Sequence, residues 1–217
     1  MAYAFLDLLS SPGVIAAQSA NGSRRVWSSA GADRQFDRFT PAEAAFIAAR
    51  DSLYMATVSE TGWPYVQHRG GPPGFLKVLD DTTLAFADFR GNRQYISLGN
   101  VAADDRVSLI LMDYPNRARL KILARLSVRD LATDPDLAER LALAGYRATP
   151  ERAFVLKLEA FDWNCPQHIT QRYSTAEVDL AVAPLRARLS ELEAENAGLR
   201  QQISRPAALE TPDDRRA

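Results

Sequence analysis

The amino-acid sequence predicts a mainly β, α+β fold: an antiparallel barrel of short strands with flanking helices and a C-terminal helix resembling a short coiled coil. Three observations predict it. Between Leu53 and Trp163 the apolar residues recur mostly at a spacing of two, in about seven short runs bounded by Gly, Pro, Asp and Asn, which is the pattern of closed or partly closed β architectures. Helical spacing is confined there to brief stretches between the runs. From Val178 to Ile203 spacings of four and three then alternate without a break.

Composition sets the bounds. The chain has 217 residues, enough for one sizeable core with appendages. It is 47% hydrophobic and 24% charged, as in ordinary globular proteins, and its formal net charge of −1 offers no field for nucleic acid or an anionic membrane. No apolar run approaches the roughly 20 residues that cross a bilayer. The N-terminal Met1-Ala2-Tyr3-Ala4-Phe5 lacks the basic start of a secretory signal, so a cytoplasmic address is expected. Cys165 is the single cysteine, which excludes an intramolecular disulfide.

Residues 1–40 read as an arm with one short helix, where Ser11 caps and Pro12 opens a turn before Val14 and Ile15. Residues 20–38 show no period. Thr40-Pro41-Ala42-Glu43 is a capping box, and a helix is expected from there to about Arg50. Leu53–Val58 and Trp63–Arg69 follow as strands joined by a tight turn, with Pro64 tolerable only at a strand start or edge. Gly70-Gly71-Pro72-Pro73-Gly74 is a rigid break. Phe75–Leu79 and Thr83–Asp88 form a hairpin, and Arg93–Ala103 is a helix with Tyr95, Ile96, Leu98 and Val101 as its apolar contacts. Strands resume at Arg106–Asp113 and Ala118–Arg129, a helix spans Pro135–Ala144, and Ala153–Trp163 is the last strand.

The C-terminal segment is a different object. Val182, Leu189, Asn196 and Ile203 occupy the a positions of a heptad seam, with Val178, Leu185, Leu192 and Leu199 at d. An Asn at a favours a two-stranded parallel pair, in which Arg188 faces Glu193 of a second copy and Glu195 faces its Arg200. A single amphipathic helix lying on its own barrel satisfies the same pattern. Ser174-Thr175-Ala176-Glu177 caps the start, Pro184 is expected to kink or restart the helix, and the tail after Pro206 reads as disordered. The organisation is therefore an arm (1–40), a barrel domain (41–172), a helix (173–205) and a tail (206–217).

The stretch Phe86-Ala87-Asp88-Phe89-Arg90-Gly91-Asn92-Arg93-Gln94-Tyr95 carries the clearest chemical signal. A strand ends, Gly and Asn turn the chain, and a helix is expected to begin with Arg93 in its first turn. Backbone N–H groups at a helix start, together with an Arg, suit a phosphate. The same residues also suit a plain cap at Asn92 with Arg93 in solvent. Arg117, Arg119 and Lys121 share a strand face by spacing and either line an anion groove or form a solvated face. Trp163 and Asn164, at the end of the last strand, suit stacking and hydrogen bonding to a planar ligand, or closure of the barrel core. Cys165 reads as a buried apolar thiol, and with His168 it makes too small a set for a metal.

Taken in order, Gly62-Trp63-Pro64-Tyr65-Val66-Gln67-His68-Arg69, Gly91-Asn92-Arg93-Gln94, Asp104-Asp105-Arg106-Val107 and Trp163-Asn164-Cys165-Pro166-Gln167-His168 resemble the pyridoxamine 5'-phosphate oxidase-like flavoproteins. The resemblance spans roughly residues 42–172. It implies an FMN-binding split β-barrel and a homodimer with FMN held between the subunits. It also implies a phosphate clamp at Arg69, with Gln67 and His68 beside it, and at Arg93. Ala87, Asp88, Asn92 and Gln94 flank that clamp, and Trp163 and Asn164 would stand near the isoalloxazine rim. Three departures accompany the resemblance. Gln94 stands where a second basic residue is usual, with Ser97 as a competing alignment. The 70–74 insert interrupts a strand, and the arginine-rich C-terminus that grips pyridoxamine phosphate is absent.

The implied function is FMN-dependent oxidation or reduction of a small molecule, not necessarily pyridoxamine phosphate. The alternatives are a non-catalytic flavin-binding or sensing module, or a binder of deazaflavin or haem. Flavin chemistry needs no protein nucleophile, and none is evident, so no catalytic residue is named.

Overall fold

The computed structural model describes residues 4–28 and 36–204. The expected tail after Pro206 and part of the expected irregular stretch 20–38 lie outside them. The chain divides into two compact units, Met1–Gln171 and Arg172–Ala217. Among the described residues no helix is long and apolar enough to cross a membrane.

The first unit opens with helices α1 (Ala4–Leu9), α2 (Pro12–Ala20) and α3 (Arg24–Ser28). Ser11 caps α2 through its hydroxyl, which accepts from Val14 N–H at 3.3 Å. The arm is thus more helical than its sequence suggests, since α1 and α3 have no capping signature. Phe5 of α1 is buried, so tertiary contact rather than local propensity supports that helix. Helix α4 (Pro41–Ala48) starts at the expected box: the Glu43 carboxylate accepts from the Thr40 backbone N–H at 3.0 Å and its hydroxyl at 2.6 Å.

Seven strands follow: β1 (Ser52–Val58), β2 (Pro64–Gly70), β3 (Lys77–Asp80), β4 (Thr83–Phe89), β5 (Arg106–Asp113), β6 (Ala118–Arg129) and β7 (Pro150–Trp163). Helix α5 (Ile96–Ala103) lies between β4 and β5, and α6 (Pro135–Leu141) between β6 and β7. Several boundaries move: β7 begins three residues earlier than expected and α6 ends three residues sooner. Phe75 and Leu76 are core residues outside β3, and α5 begins three residues later than expected.

All seven strands form one antiparallel sheet in the order β2-β1-β5-β6-β7-β4-β3. Four strands separate β2 from β4 in that order. Even so, Arg69 of β2 is ion-paired with Asp88 of β4. The sheet therefore curls until its ends approach, and a salt bridge spans the split where the ladder does not close. One hydrophobic cluster fills the interior, drawing Leu53 and Met55 from β1, Leu84 and Phe86 from β4, and Phe154 and Phe161 from β7. Pro64 begins an edge strand, where its missing N–H costs no ladder bond.

The second unit is helix α7 (Thr175–Ser204), 30 residues long. Ser174 and Glu177 form the expected box: Ser174 donates to the Glu177 carboxylate from its backbone at 2.7 Å and its hydroxyl at 2.8 Å, and Glu177 N–H returns a bond at 3.2 Å. Pro184 does not restart the helix. It lies inside one continuous run, because a proline removes a single backbone donor and long flanking turns carry the helix past it.

Candidate functional site

The cleft between β2 and β4 contains a cavity of about 220 Å³. Strand alternation sets its walls. Gln67 and Arg69 lie two apart on one face of β2, and Asp88 shares the face of β4 that carries Leu84 and Phe86. Phe89, Gly91, Asn92, Arg93, Tyr95, Leu98 and Glu151 complete its lining.

The loop before α5 is unusual. Arg93 and Tyr95 have φ of 62° and 53°, left-handed conformations that cost non-glycine residues of order 1–3 kcal/mol and concentrate at functional sites. The strain has a local support, because Gln94 N–H donates to the Asn92 side chain at 3.2 Å. Tyr95 stands at the N-cap of α5 without a side-chain cap bond. Arg93 consequently stands in a turn rather than in the first turn of a helix, which corrects the expected geometry while leaving the residue in the cavity lining.

Alternating charges line the wall. Asp88 is 5% exposed and receives Arg69 from one side and Arg152 Nε, at 3.6 Å, from the other. Arg69 also lies 5.2 Å from the Phe154 ring centroid, and its buried Nε has no hydrogen-bond partner. Glu151 is passed over in the β4–β7 register between Asp88↔Arg152 and Phe89↔Pro150, and such a bulge re-aims its side chain. It accepts from Arg90 Nε at 3.0 Å, Tyr95 Oη at 3.2 Å and Arg152 at 3.0 Å. The Arg90 hydrogen bond, chiefly, and that of Tyr95 hold the Glu151 carboxyl below the ordinary carboxylate range despite opposing desolvation. Arg69, Arg90, Arg93 and Arg152 outnumber Asp88 and Glu151 by two charges. Arg93 makes no ion pair with any described residue. The wall thus carries a positive excess, an orphaned guanidinium N–H and an uncommitted arginine, and this donor set fits a dianionic phosphate.

The expected positions divide accordingly. Gln67, Arg69, Asp88, Asn92 and Arg93 meet at the cavity. Ser97 stands just behind it, buried, and donates to Gln67 Oε1 at 3.0 Å, so it orients the amide instead of replacing a basic residue. His68 alternates to the other face of β2 and packs edge-on to Tyr54 at 5.5 Å. Ala87 turns away from Asp88 toward the side of Ala85, and Gln94 is spent on the Asn92 turn. Trp163 and Asn164 do not line the cavity. Trp163 donates to Glu43 at 2.8 Å and meets the Phe46 ring edge-on at 4.7 Å, closing the core against α4. The face proposed for Arg117, Arg119 and Lys121 breaks up: Arg117 sits in the turn before β6 with φ of 52°, and Lys121 pairs with Asp162 at 2.7 Å. Cys165 is exposed, because it follows the end of β7 instead of lying within it.

Tyr95 and Glu151 also line the cavity, with Arg90 and Arg152 bound to Glu151, and none of the four was expected there from the sequence. Arg90 and Tyr95 lay within the phosphate-like stretch. Glu151 and Arg152 carry no local signal, since only the β4–β7 pairing brings them to Asp88.

A curled antiparallel sheet whose end strand β2 is bridged to β4 by an ion pair, with an arginine-lined cavity at the bridge, defines the class: a split β-barrel protein with a charged cavity at its cleft. The model of the pyridoxamine 5'-phosphate oxidase family matches residues 39–163, and the chain belongs to that family. No curated protein sequence matches it. Among solved structures it is similar to an FMN-binding protein from Syntrophomonas wolfei subsp. wolfei at 16% identity and a TM-score of 0.45, covering 68% of this chain and 97% of that one. It is also similar to general stress protein 26 of Bacillus anthracis at 11% identity and 0.43, covering 55% and 88%. An F420 reductase aligns at 19% identity and 0.39, covering 54% and 94%.

Proposed function

We propose that this protein is an FMN-binding flavoprotein that acts as a homodimer and oxidises or reduces a small molecule. The observation that carries the reading is the excess of arginine at the cleft. Arg69 offers a buried N–H without a partner, and Arg93 offers a whole guanidinium, both at one small cavity. Family membership supports the choice of a flavin. The cavity volume supports a shared site, because about 220 Å³ falls short of the roughly 300–1,000 Å³ of typical cofactor pockets, leaving the remainder to a second protomer.

In this reading Arg93 and Arg69 hold the phosphate, with Arg152 taking the role left open by Gln94. Asn92 presents its amide beside them, and Ser97 fixes Gln67 so that its side-chain N–H₂ faces the cavity. Asp88 and Glu151 keep the cations apart and pointed inward. Bound FMN would supply hydride and electron transfer. The protein supplies position and charge, and no residue here acts as a nucleophile.

Titration of the purified protein with FMN and riboflavin tests the reading. FMN is expected to bind roughly tenfold to hundredfold more tightly, the worth of one charge-assisted contact. Equal affinities would remove the phosphate site. A visible spectrum of protein as purified that shows haem or deazaflavin bands would replace FMN with that cofactor.

A further inference from the structure

We propose that α7 is an interaction surface for a second copy of this chain, pairing with its twin as a parallel, in-register, two-stranded coiled coil. The inference goes beyond the flavin reading and does not rest on it. Helix α7 runs unbroken across every position of the seam, from Val178 to Ile203. Leu185, Leu189 and Leu199 are each at least half exposed, and Ile203 is 85% exposed. Pro184 falls at a c position, on the outer side of a pair, where its ring does not enter the seam.

Three features commit the surface to a twin in parallel orientation. First, a parallel pair places Asn196 against Asn196, where each amide satisfies the other. An antiparallel pair faces it with an apolar d residue and strands a buried amide. Second, Leu at three of the four d positions with Val and Ile at two of the a positions is the two-strand preference. Third, the flanking charges complement themselves: Arg188 at g meets the partner's Glu193 at e, and Glu195 meets the partner's Arg200. Within one helix Arg188 instead binds Glu191 at 2.9 Å, with both side chains over 60% exposed. Such a surface pair is worth little, so it yields to the interhelical contact.

The test uses the full chain with Cys165→Ser, which removes the single native thiol. Leu192→Cys places a thiol at a d position, where parallel in-register twins bring the two Cβ atoms within disulfide reach. Ala187→Cys places it at an f position, pointing outward. Mild oxidation is expected to yield a covalent dimer on a non-reducing gel for Leu192→Cys and none for Ala187→Cys. Adding Leu185→Glu and Leu199→Glu is expected to abolish the Leu192→Cys cross-link while the FMN affinity of the same sample stays unchanged. Cross-linking at both positions or at neither, or a cross-link that survives the two glutamates, would overturn the proposal.

Discussion

At the scale of single residues, the site is governed by which arginines are already committed. Arg90 and Arg152 are bound to Glu151, Arg69 is bound to Asp88, and Arg93 makes no ion pair among the described residues. Arg93→Ala is therefore expected to weaken FMN binding by roughly tenfold to hundredfold, from about 1.5–3 kcal/mol of charge-assisted bonding, while riboflavin affinity and melting temperature stay near wild type. Fluorescence titration with both ligands checks this. Asp88→Asn has the opposite profile. It leaves Arg69 and Arg152 facing each other with a neutral amide between, and breaking a buried pair costs about 3–5 kcal/mol. The melting temperature should fall, but FMN should raise it by more than in wild type, because its phosphate returns the missing charge. A ligand-induced shift no larger than wild type would place the phosphate out of reach of Arg69.

Among the elements, α4 is the one that ties distant strands together. Glu43 is 2% exposed, caps its own helix and accepts the indole N–H of Trp163 across 120 residues of chain. Glu43→Ala unmakes all three bonds, and a loss of about 2–4 kcal/mol in denaturant stability is expected, together with a shift in Trp163 emission. At the other end of α4, Arg50 pairs with Asp113 of β5 at 2.9 Å, with side chains only 15% and 9% exposed. Burial pushes the Asp113 carboxyl upward, but the hydrogen bonds from Asn116 and the Arg50 charge outweigh it and hold the group below its ordinary value. A carboxyl depressed in the folded state contributes stability above its unfolded pKa of about 3.9 and loses it as pH falls below that value. Asp113→Asn should thus melt below wild type at pH 7, and the gap should narrow as pH drops through the range under about 4. A gap that is constant with pH would show that the ion pair contributes nothing.

For the whole molecule, the two units can be separated by deletion. The family match ends at residue 163, and the cavity residues together with Arg152 all lie within it. Removing residues 174–217 is expected to leave a dimer that binds FMN with wild-type affinity, as read by light scattering and titration. A monomer without flavin would instead mean that α7 assembles the shared groove. Asn196→Leu in the full chain should raise the stability of the α7 pair while loosening its preference for two strands, visible as larger species in the same light-scattering measurement.

What the sequence determined by itself was everything governed by local period and local chemistry. The period of two located all seven strands, because a half-buried strand writes its orientation into alternate residues, and β5 and β6 have the expected bounds. The boxes at Thr40-Glu43 and Ser174-Glu177 were legible because their partners stand three residues apart. The helical period of α7 was legible for the same reason. Gln67, Arg69, Asn92 and Arg93, which share one cavity, were named together through a resemblance that follows chain order. Only the tertiary structure decided the rest. Trp163 and Asn164 lie outside the cavity lining, and Glu43 and Phe46 hold Trp163 from a helix distant in sequence. Glu151 and Arg152 entered it because a register shift between β4 and β7 aims one and sets the other beside Asp88. The start of α5 moved because strained turn residues, held by an Asn92 side chain, displaced a helix that propensity alone would begin at Arg93. Most of all, the approach of β2 to β4 is a property of the curled sheet. Strands separated by four others in a ladder meet only when twist closes it around a shared core, and no spacing along the chain encodes that meeting.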